Sequence, residues 1–411
     1  MRDVRRANRA SLLTDLFHGG RQSRQQLGDT TALSQASVSN LIGEMIDEGL
    51  VEEAGLVGSD GGRPRALLRV APGFGYVAGA DVGETRVTVE LYDLAMSRLG
   101  FAQYSLGSDG MAPEAAAAKL LEGLDAVIAE AGVSATEVLG FGVGVPGIVD
   151  RSGPDAVVHS QTTGWDGAAL GEMLRAGTQI PIHVENGAKA VGQAEMWFGA
   201  GRGARDAVIV MVGTGVGAAV VMDGRGYQGA ANNAGEWGHT TIVYGGDVCR
   251  CGARGCLEAY IGAGRITARL AAVTGAEPAR DLLVRVLNGD GPLAPEVTEV
   301  ITQTVGYLGA GIANLINLFS PERIVLGGPA GLALGERFLP DIRDAASQNA
   351  LRQPYARTRI DLCQLGPDAV AMGAATLPIA QLLAEGGLPP ASGPAPLSRA
   401  ASRRSLSRNR S

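Results

Sequence analysis

The sequence is poor in cysteine and in aromatic residues, and it has no long uncharged hydrophobic run. Its 411 residues include 4 cysteines, and aromatic residues make up 4%. Four cysteines cannot form a dense disulfide framework in a chain of this length, and a membrane-spanning helix needs about 18 consecutive apolar residues. Residues 1–13, MRDVRRANRASLL, also lack the hydrophobic segment of a secretory signal. We therefore expect a cytoplasmic protein with no membrane partner.

Charge is distributed unevenly along the chain. The net charge is −7, residues 1–70 balance nine Arg against nine acidic residues, and residues 389–411 carry five Arg and no acid. The residues between them therefore carry a net charge of −12. Because an acidic body does not suit general nucleic-acid binding, any DNA contact should be confined to the first 70 residues. The Ser-, Arg- and Pro-rich composition of 389–411 predicts a disordered basic tail.

Residues 1–70, called the head below, contain the pattern of a helix-turn-helix. Residues 33–53, LSQASVSNLIGEMIDEGLVEE, repeat apolar residues at i, i+3, i+4, i+7 and i+8, which predicts an amphipathic helix with Ser34 as its N-cap. The preceding SRQQLGDTTALS has the length of a second helix and a turn. The short polar side chains off the apolar stripe suit base edges and phosphates: Ser34, Gln35, Ser37, Ser39 and Asn40. A small helical bundle with a polar surface is the alternative.

The next segment, VEEAGLVGSDGGRPRALLRV, is typical of a strand, a glycine-rich tip and a second strand. Arg63 and Arg65 flank Pro64 at the tip. Arginine on a thin extended segment suits a narrow minor groove, whereas a solvated loop is the plain alternative. With the preceding helices, the segment favours a winged helix-turn-helix that binds double-stranded DNA.

Beyond residue 75, strands alternate with helices, which predicts an α/β body. YVAGADVGETRVTVELYDL and DAVIVMVGTGVGAAVVMDGR both have the order strand, glycine-rich turn, strand. Two such units about 130 residues apart indicate an internal duplication with a cleft between the halves. Each turn can hold a phosphate through its backbone N–H groups, although most such turns are simply tight turns.

Three of the four cysteines lie within eight residues, in CRCGARGC. Cys249, Cys251 and Cys256 are close enough in sequence to bind one ion, and His239 lies ten residues upstream. One His and three Cys make a closed set of four ligands that is typical of structural zinc. Reduced free thiols and a disulfide are the alternatives, but in a cytoplasmic protein such a cluster favours Zn²⁺.

The chain resembles the ROK family of repressors and sugar kinases in a series of motifs that occur in the same order. The motifs are SQASVSNLI, GGRPRALL, DVGETR, GVGVPGIVD, VGTGVGAAVV, AGEWGH and CRCGARGCLE, and the resemblance runs from about Asn8 to Ala384. It implies an N-terminal winged helix-turn-helix followed by an actin-like, ribonuclease H-like two-lobed α/β body with structural zinc. The implied domains are 1–70, a first lobe of 71–188 plus 372–388, a second lobe of 189–371, and the tail 389–411.

The resemblance also implies a sugar site. In similar proteins, the residues that match Asn186, Glu236, His239 and Glu258 hydrogen-bond a sugar. From the sequence alone, without the resemblance, the favoured interpretation of the two glutamates is that they are solvated loop charges. The turns retain a resemblance to phosphate-binding loops, as relics or as sites for an anionic part of a ligand: Asp81, Gly83, Thr85, Gly213, Thr214 and Gly215.

One difference from the kinases of the family lies in HVENGAKAVGQAE. Where similar kinases have Asn-Asp-Ala-Asn, with the Asp as general base, this chain has Asn186 followed by Gly187, and Lys189 replaces the second Asn. Loss of a general base typically lowers the rate by about 10²–10⁴. The role of Lys189 is open between binding a phosphate and neutralising Glu185.

We therefore predict a non-enzymatic, sugar-responsive regulator, a homodimer or homotetramer that represses carbohydrate uptake or catabolism genes and is released by a sugar or sugar derivative. The alternatives are an active ATP-dependent sugar kinase with an appended DNA-binding head, and a metal or redox sensor that uses the cysteines.

Overall fold

The structure is a computed structural model that describes residues 2–59, 62–105, 112–153, 155–289, 291–366 and 369–388. The side chain of Arg63 and the predicted basic tail 389–411 lie outside the described part of the chain. Within the described part, no helix combines the length and the apolar character that a membrane crossing requires.

The head begins with three helices: α1 (Arg2–Gly19), α2 (Arg24–Thr31) and α3 (Gln35–Asp47). Ser23 caps α2 in a reciprocal capping box with Gln26, and Ser34 caps α3 by accepting a hydrogen bond from the backbone N–H of Ser37. Such caps satisfy N–H groups that a helix cannot bond internally. The cap at Ser34 therefore fixes where α3 begins.

A small antiparallel sheet completes the head. Its strands are β1 (Gln22–Ser23), β2 (Val51–Ser59) and β3 (Gly62–Val70), in the order β1-β3-β2. The apolar stripe of α3, including Val38, Ile42 and Met45, is fully buried and packs in one cluster with Leu68 of β3. The opposite face of α3 is thereby left on the outside.

The first lobe is built on a five-stranded sheet. The chain from 76 to 186 forms β4 (Tyr76–Val82), β5 (Arg86–Asp93), β6 (Arg98–Ser105), β7 (Val138–Val145), β8 (Ile148–Asp150), β9 (Val157–Ser160), β10 (Trp165–Ala168) and β11 (Ile182–Asn186). The main sheet has the order β6-β5-β4-β7-β11, and β8 to β10 form a separate small sheet. The helices α4 (Pro113–Ala131) and α5 (Leu170–Gly177) cover one face of the main sheet.

The second lobe repeats this arrangement, as the two similar sequence units predict. After α6 (Gly187–Phe198) come β12 (Ala207–Val212), β13 (Val216–Met222), β14 (Arg225–Gly226), β15 (Arg323–Gly327) and β16 (Arg359–Leu362). Their order is β14-β13-β12-β15-β16. Both sheets contain an antiparallel hairpin. In each, the first strand of the hairpin pairs on its other edge with a parallel strand, and that strand pairs with a second parallel strand beyond it.

The remaining helices of the described chain lie after β14. They are α7 (Glu258–Ile261), α8 (Ala263–Thr274), α9 (Leu282–Leu287), α10 (Pro295–Phe319), α11 (Pro329–Asn349) and α12 (Arg352–Tyr355) of the second lobe, followed by α13 (Ala369–Ala384), which packs on the first sheet. The helices α7 to α11 enclose a large apolar core with the outer face of the second sheet.

The helices α6 and α13 pack against each other between the two main sheets. A side chain at Gly142 of β7 would overlap the carbonyl oxygen of Ala374, and one at Gly79 of β4 would overlap that of Ala371. Glycine at these positions therefore lets α13 lie directly on the backbone of the first sheet.

Both central helices also reach the head. Trp197 near the end of α6 makes edge-to-face ring contacts with Phe17 and His18 of α1. Just beyond the end of α13, the carbonyl oxygen of Gly386 accepts a hydrogen bond from Nε of Arg9, at 2.8 Å. Burial lowers the pKa of His18, with a further contribution from Arg202, so the neutral ring is favoured in this contact.

Candidate ligand cleft and metal centre

A cavity of about 590 Å³ lies between the lobes. Both glycine-rich turns line it, the first following β4 and the second following β12, together with the N-terminus of α6. It contains most of the residues predicted from the sequence: Asp81, Gly83, Asn186, Thr214, Gly215, Glu236, His239 and Glu258. Thr85 and Gly213 are not among its lining residues.

Asn186 is held rigidly where β11 ends and α6 begins. Its Oδ1 atom accepts a hydrogen bond from the backbone N–H of Lys189, and its Nδ2 atom donates to the carbonyl oxygen of Gly147 at 2.7 Å. The residue is thus the N-cap of α6 and lines the cavity at the same time.

Gly187 is the first residue of α6 and also lines the cavity. A Cβ atom added there would lie 3.4 Å from Cγ1 of Val370 and 3.7 Å from the carbonyl oxygen of Val145, which are ordinary contact distances. A Cβ atom therefore fits at this position, so packing does not require glycine there.

The carboxyl group of Glu236 is half-buried in the cavity wall, next to the short 3-10 helix Trp237–His239. Burial raises its pKa, and the nearby His239 and Lys189 partly oppose that rise. Glu236 is therefore not the solvated loop charge that the sequence allowed.

Glu258, at the start of α7, is 6% exposed. Its Oε2 atom accepts a hydrogen bond from the backbone N–H of Val216 at 2.9 Å, so it is tied to the second glycine-rich turn. Its Oε1 atom accepts from the guanidinium of Arg250. The alternative of a solvated charge is wrong for this residue too.

A buried polar network that sequence reasoning missed joins the lobes beside Asn186. Lys189 donates from Nζ to the carbonyl oxygen of Asn232 at 2.6 Å, and Asn232 donates from Nδ2 to Oε1 of Glu185 at 3.2 Å. The other oxygen of Glu185 lies 3.1 Å from Nη2 of Arg151. Lys189 therefore ties the loop that carries Glu236 to α6. Asn232 has a φ of 58°, a left-handed backbone conformation that Asn adopts more readily than most residues.

The four predicted metal ligands come together. The ligand atoms of His239, Cys249, Cys251 and Cys256 all lie within 4.8 Å of one another. The Sγ atoms of Cys251 and Cys256 are 3.7 Å apart, and Sγ of Cys249 is 3.7 Å from Nδ1 of His239. The cysteines are unpaired thiols at these distances, which excludes the disulfide alternative in this structure. The cluster can hold a metal ion.

Arg250, between two of these cysteines, points into the cleft. Its Nη2 atom donates to the carbonyl oxygen of Thr214 at 2.9 Å and lies 3.2 Å from Oε1 of Glu258. Its Nη1 atom is 3.8 Å from Oε1 of Glu84, which belongs to the first lobe. Since Glu84 and Arg250 are far apart in sequence, nothing local predicts this contact.

The candidate DNA-contacting residues lie on the outer face of the head. Gln35, Ser39 and Asn40 are exposed on α3, and Arg65 is exposed on β3. Ser34 is exposed and Ser37 is partly exposed, but their hydroxyl groups bond to each other at 2.9 Å. The head thus exposes the polar face of α3 and the Arg65 side chain of β3.

A model of the ROK family matches residues 77–381. The xylose repressor of Caldicellulosiruptor bescii is 28% identical over 391 residues, which cover 92% of this chain and 97% of that protein. A glucokinase of Halalkalibacterium halodurans is 32% identical over 253 residues, which cover 58% of this chain and 76% of the enzyme.

A solved structure supports the same family. A crystal structure described as a ROK family transcriptional regulator, a homologue of the E. coli MLC protein, superposes with a TM-score of 0.76 at 25% identity. The match covers 93% of this chain and 98% of the regulator chain. The repressor and the regulator match the head as well as the body, whereas the glucokinase matches a shorter part.

Proposed function

Because this chain belongs to the ROK family, and its full-length relatives include a named repressor, we propose that it is a sugar-responsive transcriptional repressor. Its target genes serve carbohydrate uptake or catabolism, and a sugar or sugar derivative releases it from its operator. One observation carries the proposal most directly: the helices that border the ligand cavity end against the head.

The head functions as a winged helix-turn-helix. The order of three helices and a hairpin supports this assignment, as do the exposed polar residues of α3. In such modules the second helix of the pair enters the major groove. Gln35, Ser39 and Asn40 read base edges there, Ser34 and Ser37 bind phosphate, and Arg63 and Arg65 reach the minor groove from the hairpin.

The cavity binds a hydroxyl-rich ligand. Asn186, Glu236, His239 and Glu258 converge on it from different elements, and a sugar requires such convergent donors and acceptors. Because Nδ1 of His239 faces the cysteine cluster, its Nε2 atom is the ring nitrogen that serves a ligand.

The metal centre holds Zn²⁺ as a structural ion. A tetrahedral zinc with Zn–S bonds of about 2.3 Å separates two sulfur ligands by roughly 3.8 Å. The 3.7 Å between Cys251 and Cys256 fits that spacing. One imidazole and three thiols complete four ligands, which leaves no open position for a catalytic role. Bound there, the ion would fix His239 and the loop that leads to Glu258.

Ligand binding is transmitted through α6 and α13. The helix α6 begins at Asn186 in the cavity, and Trp197 near its end contacts the head. The helix α13 begins beside Gly187 and ends beside Arg9 of the head. Closure of the cleft shifts one helix relative to the other and so reorients the head. In a homodimer the two recognition helices must lie about 34–36 Å apart to reach successive major grooves, so a small shift weakens DNA binding.

The absence of a carboxylate at Gly187 argues against an active kinase. The position has room for a side chain, so the glycine is not a packing requirement. Without a general base, an enzyme turning over at about 1–100 s⁻¹ would be slowed by roughly 10²–10⁴.

The test begins with the purified full-length chain and fragments of its own genome. Recovered fragments should share a site, and the genes beside them should identify the sugar. A double variant Gln35→Ala, Asn40→Ala should lose site-specific binding, whereas Glu236→Gln should bind DNA normally but should not be released by the sugar. Failure to select any DNA at low salt would contradict the proposal.

A second candidate, an ATP-dependent sugar kinase with a DNA-binding head, is favoured by the glucokinase likeness. Sugar-dependent ATP consumption at 1 s⁻¹ or faster, on the order of ordinary kinase rates, would establish it.

A further inference from the structure

The side chains around the cleft carry an excess of negative charge. Its charged lining residues are five carboxylates and one guanidinium: Asp81, Glu84, Asp166, Glu236, Glu258 and Arg250. The imidazoles His159 and His239 also line it. Any ligand in the cavity therefore lies within a field that is acidic overall.

The guanidinium of Arg250 is already engaged. It contacts Glu258 on one side, the carbonyl oxygen of Thr214 on another and Glu84 on a third. A Cβ atom at Gly215 would lie 3.9 Å from its Nη2 atom, so the arginine lies directly over the second glycine-rich turn. An anionic ligand at this turn would have to displace one of the arginine's own carboxylate partners.

Glu84 engages a second cation at the same place. Its Oε2 atom is 2.7 Å from Nη1 of Arg280, while its Oε1 atom faces Arg250. The side chain is 16% exposed. One carboxylate of the first lobe therefore pairs with two guanidinium groups of the second lobe.

Part of the backbone donor set of the two turns is engaged as well. The N–H of Gly83 bonds to the carbonyl oxygen of Arg86 at 2.9 Å, and that of Gly213 bonds to the carbonyl oxygen of Gly215 at 2.9 Å. The N–H of Val216 donates to Glu258. These three N–H groups are therefore not available to a phosphate, which such turns would bind through backbone N–H groups.

We infer that the cleft selects an uncharged, hydroxyl-rich ligand, a free sugar, and rejects sugar phosphates and nucleotides. The inference rests on the proposed function, because it takes the cavity as the sugar site and adds the chemical class of the effector. It also assigns Glu84 and Arg250 as the residues that set this selectivity.

The physical reason is the difference between a hydroxyl and a phosphate. A sugar hydroxyl donates to carboxylate oxygens, which are abundant here. A phosphate monoester carries about −1.5 to −2 charges at neutral pH and has acceptor oxygens, so it needs unpaired cations or free N–H groups. The cavity offers it carboxylates and an arginine that is already paired.

The experiment measures binding to the full-length protein by isothermal titration calorimetry with matched pairs of ligands. D-glucose is compared with glucose 6-phosphate, and N-acetylglucosamine with its 6-phosphate; D-xylose, ATP and inorganic phosphate are titrated separately. At least one free sugar should bind, any phosphorylated counterpart should bind at least tenfold more weakly, and ATP and phosphate should not bind at millimolar concentration.

Two variants should shift this discrimination in opposite directions. Glu84→Gln leaves Arg250 and Arg280 without their shared carboxylate, so the preference for the free over the phosphorylated sugar should fall about tenfold. Arg250→Gln makes the cavity more acidic, so the preference should increase. Arg254→Gln, in the same loop, and Glu114→Gln, on the surface of α4, should leave the ratio unchanged. Because the readout is a ratio, a general loss of affinity does not imitate it.

The outcomes distinguish an error in the ligand selectivity from an error in the proposed sugar site. If a phosphorylated sugar binds more tightly than its free counterpart, or ATP binds at millimolar concentration, the selectivity is wrong while the sugar site stands. If Glu84→Gln and Arg250→Gln shift the ratio in the same direction, the assignment of these two residues is wrong. If no ligand of the panel binds, both the selectivity and the proposed sugar site are contradicted.

Discussion

Arg9 of α1 and Glu48, the C-cap of α3, form a two-point ion pair within the head. Nη1 of Arg9 lies 2.9 Å from Oε1 of Glu48, and Nη2 lies 2.6 Å from Oε2. Arg9 is only 2% exposed, and its Nε atom extends the network to Gly386 beyond α13. A single buried side chain thus links α1, the end of α3 and the segment that follows α13.

Arg9→Met should weaken the docking of the head on the body. The change removes a charge-assisted pair and leaves a buried carbonyl oxygen without its donor, so the free energy of unfolding should fall by roughly 1–3 kcal/mol. Arg5→Met is the control, because Arg5 pairs with Glu44 in a much more exposed position. Urea unfolding measures the stability, and the operator affinity with and without sugar measures the coupling. Equal effects of the two variants would show that the buried link has no special role.

Gly187→Asp should fold normally and should still lack kinase activity. An acidic residue in the first turn of α6 interacts favourably with the helix dipole, and the site has room for it, so stability should be unchanged or rise by up to about 1 kcal/mol. Arg250 stays paired over the second glycine-rich turn in an acidic cleft, so a restored base should have no nucleotide beside it. A coupled ATP assay with Gly187→Asn as the control checks this, and turnover near 1 s⁻¹ or above would refute it.

Removal of the metal should loosen the sugar pocket before it unfolds the head. The cluster lies next to Glu258, whereas the apolar core of the head, which it shares with Val77 of β4 and Ile379 of α13, includes no residue of the cysteine cluster. Cys251→Ser, or chelation, should lower sugar affinity at least tenfold while the protein still binds DNA, because a bound metal would fix the loop that carries His239. Cys363→Ser is the control, since that thiol lies outside the cluster. Normal sugar affinity in chelated protein would contradict the prediction.

Acid should destabilise the first lobe through His183. Burial, aided by repulsion from Arg151, lowers the pKa of His183 to about 4. Because its pKa in the unfolded chain is about 6.5, the unfolded state binds more protons as the pH falls, and stability is lost between pH 6.5 and 4, by up to about 3 kcal/mol. His183→Gln should flatten this part of the stability profile, whereas the more exposed His159→Gln should not. Urea unfolding at several pH values provides the comparison.

The sequence predicts well those parts of the molecule whose structure is set by residues close together in the chain. Ser34 caps its helix through a residue three positions away, and the two hairpins follow from strand patterns around a glycine-rich turn. The metal ligands lie within a short segment, so their spacing alone brings them together.

The parts that the sequence does not predict depend on how distant elements dock. Arg9 meets Gly386 across 377 positions, and Glu84 meets Arg280 across 196. Neither contact has a periodicity or a spacing that reveals it, because each exists only after α13 and the second lobe have packed. The tie between Lys189 and Asn232 is of the same kind, which explains why the role of Lys189 stayed open until the loop could be seen.

The close packing of the central helices at glycine residues has a mechanical consequence. Gly142 lets α13 lie directly on the first sheet, and Gly192 lets α6 pack closely on Ala219 of the second sheet. We expect each helix to follow the sheet on which it packs, so that opening or closing of the cleft slides α6 along α13. The head contacts the far ends of both helices, so its orientation should respond to a relative displacement of the two and not to a displacement that both share.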